Sequence, residues 1–154
     1  MDLVIEGRFY INGSIKDTSV GIEDGKIVTI GNIVRGGDER IDLGNRLILP
    51  GFVDPHVHFR DPGFTNKEDF RSGTMSALFG GKTCVLDMPN NDPPAIDVRS
   101  LKNKKSTIRS KAYVDYGLFA ALTPGCNTDL LSPMVCGFKL FMGSTTGNIL
   151  LNDD

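Results

Sequence analysis

The alternation of strands and helices after residue 50 most constrains the fold of this chain. Short β-prone runs alternate there with stretches of helical spacing, and glycine and proline residues mark the breaks between them. This order predicts parallel βαβ units, because a helix must carry the chain back between parallel strands. The predicted strands span residues 52–59, 83–88, 111–121 and 137–142, and the predicted helices span residues 66–79, 97–110 and 128–135.

Four strands and three helices make up about half of a closed (β/α)8 barrel, which has eight of each and typically about 250 residues. We therefore expect an α/β fold in which residues 51–154 form the first half of a TIM-type barrel, in the N-terminal portion of a longer protein. An open sheet, or a half-barrel that a second copy of the chain completes, are the alternatives.

Residues 1–50 have a different pattern. Short β-prone runs are separated there by turn signals, among them Asn12-Gly13 and Asp24-Gly25. Such dipeptides favour tight hairpins between neighbouring strands. We expect this region to form a small β-sheet unit of its own.

Composition argues against several kinds of partner. The formal net charge is −2 and 23% of the residues are charged, so neither nucleic acid nor a membrane surface is expected to bind. No apolar run approaches the roughly 20 residues that span a bilayer, and the first residues lack the pattern of a signal peptide, so we expect a cytoplasmic protein. The three cysteines are odd in number and show no paired spacing, which argues against a disulfide framework.

Basic residues are concentrated in and just after the second predicted helix. We interpret them as a solvated helix face, because no aromatic side chains alternate with them as in many nucleic-acid-binding segments. They are Arg99, Lys102, Lys104, Lys105, Arg109 and Lys111.

His56 and His58 are the only two histidines in the chain and lie two positions apart. Side chains at this spacing in a strand point to the same face, so both imidazoles can reach one divalent transition metal, with zinc the first choice. A histidine pair without a metal is the alternative. Asp54 would share this face, either to orient a metal ligand or to accept hydrogen bonds from nearby backbone amides.

The loops that follow strands in α/β folds carry the active site. Arg60 follows the first predicted strand after residue 50 and Asn90 follows the second, so we expect both at one rim with the histidines. The guanidinium of Arg60 suits a carboxylate, with a surface ion pair as the alternative. Asn90 offers a donor and an acceptor together, with loop shaping as the alternative.

Lys139 stands between apolar residues in the last predicted strand. A buried ammonium is costly. The side chain therefore either reaches the strand end or holds a neutral amine, which can add carbon dioxide to form a carbamate. The loop at residues 143–147 lacks the Gly-Lys-Ser/Thr ending of a phosphate-binding loop, so we interpret it as part of the barrel rim.

Three motifs, in order along the chain, resemble those of the cyclic amidohydrolases, and among them the longer, class I dihydroorotases. They are PGFVDPHVHFRDPG at residues 50–63, MPN at residues 88–90 and FKLF at residues 138–141. Residues 1–50 resemble the strands that this family contributes to a small β-sandwich beside its barrel. One departure is Asn91, which stands where a threonine is commoner.

The resemblance implies roles for these residues. His56 and His58 would bind the first of two zinc ions, and Lys139, with a carbamate derived from carbon dioxide on its amine, would bridge to the second. His58, Arg60 and Asn90 would bind the substrate. The implied reaction is the reversible hydrolysis of dihydroorotate to N-carbamoyl-L-aspartate in pyrimidine biosynthesis.

The resemblance also implies what this chain lacks. The family's other two histidine ligands and its general-base aspartate lie on later barrel strands, and the chain has no third histidine. We therefore assign no catalytic residue here, expect the aspartate beyond Asp154, and expect the 154-residue chain by itself to be inactive. The alternatives are an allantoinase, a dihydropyrimidinase or hydantoinase, or a non-catalytic scaffold of this fold. The expected partner is a small-molecule substrate, and a homo-oligomer is left open.

Overall fold

The computed structural model of the chain describes residues 1–146 and 149–151. It divides into two compact units, Met1–Pro50 and Gly51–Asp154. Together they have the α/β composition that the sequence predicts, with one four-stranded sheet in each unit. Within the described residues, no helix is long and apolar enough to cross a membrane.

The first unit is a sheet with the strand order β3-β2-β1-β4. Strand β1 is antiparallel to β2 and parallel to β4. Both predicted hairpin turns are present: Asn12 and Asp24 each have φ of 50°, and the glycine after each also has a positive φ, as two-residue turns require. The strands are β1 (Leu3–Ile11), β2 (Ser14–Glu23), β3 (Lys26–Gly31) and β4 (Glu39–Ile48).

The second unit is a parallel sheet whose spatial order, β5-β6-β7-β8, follows the order of the sequence. Because all four strands run in one direction, the loops that follow them open on the same edge. The strands are β5 (Phe52–Val57), β6 (Lys82–Asp87), β7 (Asp115–Ala121) and β8 (Gly137–Lys139). The helices are α1 (Phe70–Phe79), α2 (Val98–Ile108) and α3 (Thr128–Leu131), the last continued by a 3-10 turn at Ser132–Met134.

Several element boundaries differ from the sequence prediction, among them the start of helix α1 and the end of strand β8. Helix α1 begins at Phe70 rather than at residue 66, because the side chain of Asp69 accepts a hydrogen bond from the Ser72 amide at 2.8 Å and caps the helix there. Strand β8 ends at Lys139 rather than at residue 142. The loop that lines the candidate site therefore begins three residues earlier than predicted.

The core of this unit lies between the parallel sheet and its helices. The Phe70 ring of α1 packs edge-on against Phe59, with ring centroids 5.1 Å apart, and against Tyr116, with centroids 5.6 Å apart. Gly73 leaves space for the Phe59 ring, since a Cβ at that position would overlap it. Phe59 thereby anchors the strand end that carries the histidines. The buried core residues are Phe59, Phe70, Val85, Ala95, Leu101, Ile108, Leu118, Ala120 and Leu131.

Candidate active site

One cavity of about 480 Å³ at the carboxyl edge of the parallel sheet contains the five residues that the family resemblance assigns to metal or substrate. The loop at residues 140–146 lines the rest of it. Parallel strands explain the convergence, because the residues lie at or just beyond the carboxyl ends of β5, β6 and β8. Their roles as ligands stay predictions. The five residues are His56, His58, Arg60, Asn90 and Lys139.

A β-bulge in β5 decides which side chains enter this cavity. Between Asp54 and Val57, β5 advances three residues while its partner β6 advances two. The extra residue reverses the alternation, so His56 and His58 line the cavity whereas Asp54 lines another beside α1. The expectation that Asp54 shares the histidine face is therefore wrong. Its carboxylate pairs with Lys82 and accepts a hydrogen bond from the His56 amide at 3.3 Å.

The two imidazoles are close together, and Asn90 orients one of them. The His56 and His58 ring centroids are 5.1 Å apart, and His58 Nδ1 lies 2.8 Å from Asn90 Oδ1. An amide oxygen can only accept, so this contact puts the proton on Nδ1 and leaves the lone pair on Nε2. A second group that fixes the tautomer in this way is the usual companion of a histidine that binds a metal.

The electrostatic surroundings of His58 favour the neutral imidazole. Burial lowers the pKa of His58 below its ordinary value, and the electrostatic influence of Arg60 and His56 lowers it further. The hydrogen bond with Asn90 acts in the opposite direction but is outweighed. A neutral ring is the form that binds a metal ion.

Arg60 is directed towards Asn90. Its backbone has φ of 62°, in the left-handed region that side chains other than glycine seldom adopt. Its Nη1 makes a long contact of 3.4 Å with the Asn90 carbonyl oxygen. The guanidinium forms no ion pair with any acidic side chain that the structure describes. Among the described residues, the alternative that Arg60 forms a surface ion pair is therefore not observed.

Lys139 lies at the carboxyl end of β8 and is half-buried. Its ammonium is 5.7 Å from the centroid of the Phe141 ring. The sequence analysis expected this side chain either to reach the strand end or to hold a neutral amine, and its position agrees with the first of these. Carboxylation of the amine stays a prediction. The loop at residues 143–146 lines the cavity as a rim, while Gly147 and Asn148 lie outside the described residues.

The donor set fits part of a metal centre. Across residues 1–146 and 149–151, no group of three or more His, Cys, Asp or Glu side chains could hold a metal ion. The cavity instead offers two imidazoles, one of them with its tautomer fixed, and the amine of Lys139. Another cavity of about 460 Å³, between the start of α2 and the loop after β7, is lined by none of these residues.

Sequence reasoning missed a buried ion pair behind the site. Lys104 on α2 is 1% exposed, and its Nζ lies 2.6 Å from Asp87 Oδ2 at the end of β6. Burial lowers the pKa of Lys104, and the adjacent Asp87 carboxylate opposes this shift. The interpretation of the basic cluster as a solvated face is therefore wrong for Lys104. It is also wrong for Lys111, whose Nζ lies 2.7 Å from Asp61 Oδ2.

Two sequence signals pointed to this pair. Leu101, Lys104 and Ile108 follow helical spacing and form the buried face of α2. Asp87 is a carboxylate at the end of an apolar strand. A charged residue on an apolar face and an acid in an apolar run suggest each other as partners, since buried charges are paired.

Known proteins are similar to this chain over nearly its whole length. The amidohydrolase family model matches residues 47–123, half of the chain. The dihydroorotase of Pyrococcus abyssi is 41% identical over 151 residues, covering 97% of this chain and 36% of that protein. The allantoinase of Rubrobacter xylanophilus is 38% identical over 149 residues, covering 94% of this chain and 33% of that protein.

A solved structure matches the fold over nearly the same extent. The L-hydantoinase (dihydropyrimidinase) from Arthrobacter aurescens superposes with a TM-score of 0.86 at 27% identity, covering 97% of this chain and 35% of that one. The chain thus spans about a third of the length of the relatives it matches. The family match and these similarities show that this chain belongs to the amidohydrolase family and is related to its dihydroorotases, allantoinases and hydantoinases.

Proposed function

We propose that the protein is a zinc-dependent dihydroorotase, which hydrolyses dihydroorotate reversibly to N-carbamoyl-L-aspartate. The observation that carries the proposal is the cavity in which Arg60 and Asn90 stand beside the two histidines. The identity of 41% to a dihydroorotase supports the same assignment. The proposed partner is accordingly this small-molecule substrate.

Arg60 favours dihydroorotate over the substrates of the sibling enzymes. The dihydroorotate ring carries a carboxylate, which the rings of hydantoin and allantoin lack. A guanidinium presents paired donors in a plane that matches a carboxylate. Arg60 is half-buried and free of described acidic partners, so its donors are available to a substrate.

In this proposal His56 and His58 would hold one zinc ion, and Lys139, as its carbamate, would bridge to a second. When bound, zinc would lower the pKa of a coordinated water towards ~7 and polarise the amide carbonyl under attack. Asn90 keeps the His58 proton on Nδ1, so that Nε2 is free to bind. Arg60 would fix the substrate by its carboxylate and so orient the ring amide. We assign no proton-accepting group within this chain.

The test is a substrate panel with the full-length protein loaded with zinc. We expect zinc-dependent turnover of dihydroorotate that a chelator abolishes, with hydantoin and allantoin as comparison substrates. Turnover of either comparison substrate without turnover of dihydroorotate would assign a sibling activity. A well-folded protein that binds no zinc would instead favour the non-catalytic scaffold.

A further inference from the structure

We propose that Lys104, Asp87 and Asn91 form a positioning unit that sets the geometry of the candidate site. The relevance of this unit to catalysis rests on the proposed function. The three side chains are 1%, 0% and 2% exposed. None of them lines the cavity that holds the histidines. They act, in this proposal, through the two loops that carry Arg60 and Asn90.

The first arm of the unit holds the loop after β6. Lys104 Nζ donates a hydrogen bond to the Met88 carbonyl oxygen at 3.0 Å and another to Asn91 Oδ1 at 2.5 Å. These two acceptors belong to residues on either side of Asn90. The Lys104 ammonium therefore fixes the Met88 backbone, which precedes Asn90, and the Asn91 side chain, which follows it.

The second arm holds the end of β5. Asp87 Oδ1 accepts a hydrogen bond from the Phe59 amide at 2.9 Å, and Asn91 Nδ2 donates to the Asp61 carbonyl oxygen at 3.2 Å. Phe59 lies between His58 and Arg60, and Asp61 follows Arg60. Both arms thus end on the residues that flank the candidate ligands.

Stability alone does not account for this unit. Desolvating two charges offsets most of their attraction, and replacing such a pair by apolar side chains is often neutral or stabilising. Within residues 1–146 and 149–151, all the side-chain hydrogen bonds that Lys104, Asp87 and Asn91 make beyond the unit end on the two site loops. Fixing the distance between the loops is a function that apolar packing at these positions would not supply.

The two loops also meet directly, which leaves little room for independent movement. The Asp92 amide donates to the Pro62 carbonyl oxygen at 3.2 Å. Gly63 has φ of 103°, and a Cβ there would overlap Asp92. A change in either loop is therefore transmitted to the other, and the His58–Asn90 distance of 2.8 Å depends on both.

The test uses variants of the full-length protein. Lys104→Met removes the ammonium and keeps an unbranched apolar side chain. The double variant Asp87→Asn/Lys104→Met removes both charges and keeps an amide oxygen for the Phe59 hydrogen bond, which restores charge balance. Lys102→Met is the matched control, since Lys102 lies exposed on the same helix. Asn91→Ala keeps the ion pair and cuts the link between the loops, so it tests the proposal if the other variants fail to fold.

Two readouts separate positioning from folding. The first is the NMR signal of the His58 Nδ1 proton, assigned by its loss in Asn90→Ala. The second is zinc affinity, measured by competition with a chromophoric chelator, with thermal unfolding recorded for every variant. We expect the double variant to unfold near the wild-type temperature, to lose the Nδ1 signal, and to bind zinc about 10- to 100-fold more weakly.

A double variant that keeps the Nδ1 signal and wild-type zinc affinity would overturn the proposal, as would equal losses in Lys102→Met. If Lys104→Met loses stability and both readouts, and the double variant regains all three, the unit is purely structural and the proposal is also overturned. If the wild-type protein neither binds zinc nor hydrolyses dihydroorotate, the proposed function fails. The Nδ1 signal still decides the positioning role in that case, because it requires neither metal nor activity.

Discussion

Replacing Arg60 by alanine is expected to weaken binding of a carboxylate-bearing substrate and to leave zinc binding unchanged. A hydrogen bond to a charged group contributes about 1.5–3 kcal/mol, and the half-buried position of Arg60 argues for the lower part of that range. Each 1.4 kcal/mol is about a tenfold change in affinity. The lower part of that range, about 1.5–2.2 kcal/mol, predicts that KM for dihydroorotate rises about 10- to 40-fold.

The backbone at this position makes the alanine variant a clean perturbation. Alanine and arginine bear the same steric cost at φ of 62°, so only the side chain beyond Cβ changes. Arg60→Gly would lose the same substrate contact and also relieve the left-handed conformation. Arg60→Lys keeps the charge without the planar fork, so its KM should lie between those of the wild type and of Arg60→Ala.

The assay is steady-state hydrolysis of dihydroorotate by the full-length enzyme, with zinc content measured on the same samples. Arg71→Ala is the matched control, because Arg71 lies exposed on α1. An unchanged KM in Arg60→Ala would refute the role in substrate binding. A loss of zinc as large as the loss of substrate affinity would refute the separation between Arg60 and the metal ligands.

Three further outcomes are expected for the same full-length protein. In Gly73→Ala the new Cβ overlaps the Phe59 ring, and such overpacking costs about 1–3 kcal/mol. After the gain of about 1 kcal/mol in helix propensity, the free energy of unfolding in urea should fall by up to about 2 kcal/mol. Asp97→Ala should cost about 1 kcal/mol because Asp97 caps α2. The Ser100 hydrogen bond lowers the pKa of Asp97 from 3.8, so this contribution is present above pH 3.8 and disappears as pH falls through the lowered pKa. Burial lowers the pKa of His58 from 6.5, so the metal-free protein should lose stability as pH falls from 6.5 towards that pKa, and His58→Gln should flatten the dependence.

Matched variants check these outcomes. Ser76→Ala, on the exposed side of α1, should be neutral or slightly stabilising, and an equal result for Gly73→Ala would contradict the packing argument. Asp97→Asn keeps a capping oxygen and should retain most of the stability. A metal-free protein whose stability does not change between pH 6.5 and 5 would contradict the account of His58.

The order of elements was predictable because it depends on local patterns. Apolar periodicity and glycine breaks predicted four parallel strands with three helices after residue 50, and this prediction is confirmed. The convergence of Arg60 and Asn90 on the histidines followed from topology, since parallel strands present their carboxyl ends at one edge. The family resemblance was needed to place Lys139 in the same site. Helix starts were less predictable because a single capping side chain, such as Asp69, sets them.

Two features that depend on distant partners were missed in the sequence prediction. The side on which Asp54 lies depends on how β5 pairs with β6, and a bulge is a property of that pairing rather than of one strand. The burial of Lys104 depends on Asp87, which lies 17 positions earlier in the chain. The helical spacing of Leu101, Lys104 and Ile108 indicated a buried face, but the partner that makes a buried lysine tolerable lies on another element.

The bulge in β5 has a consequence for metal selectivity. With regular pairing, the Asp54 carboxylate would stand on the same face as His56 and His58 and would add an oxygen donor, which magnesium, calcium and manganese prefer. The extra residue turns Asp54 towards Lys82 instead, and the ammonium neutralises it. Under the proposed zinc site, one inserted residue would leave an imidazole pair that suits zinc, and metal selectivity at this edge of the sheet would be a property of strand register.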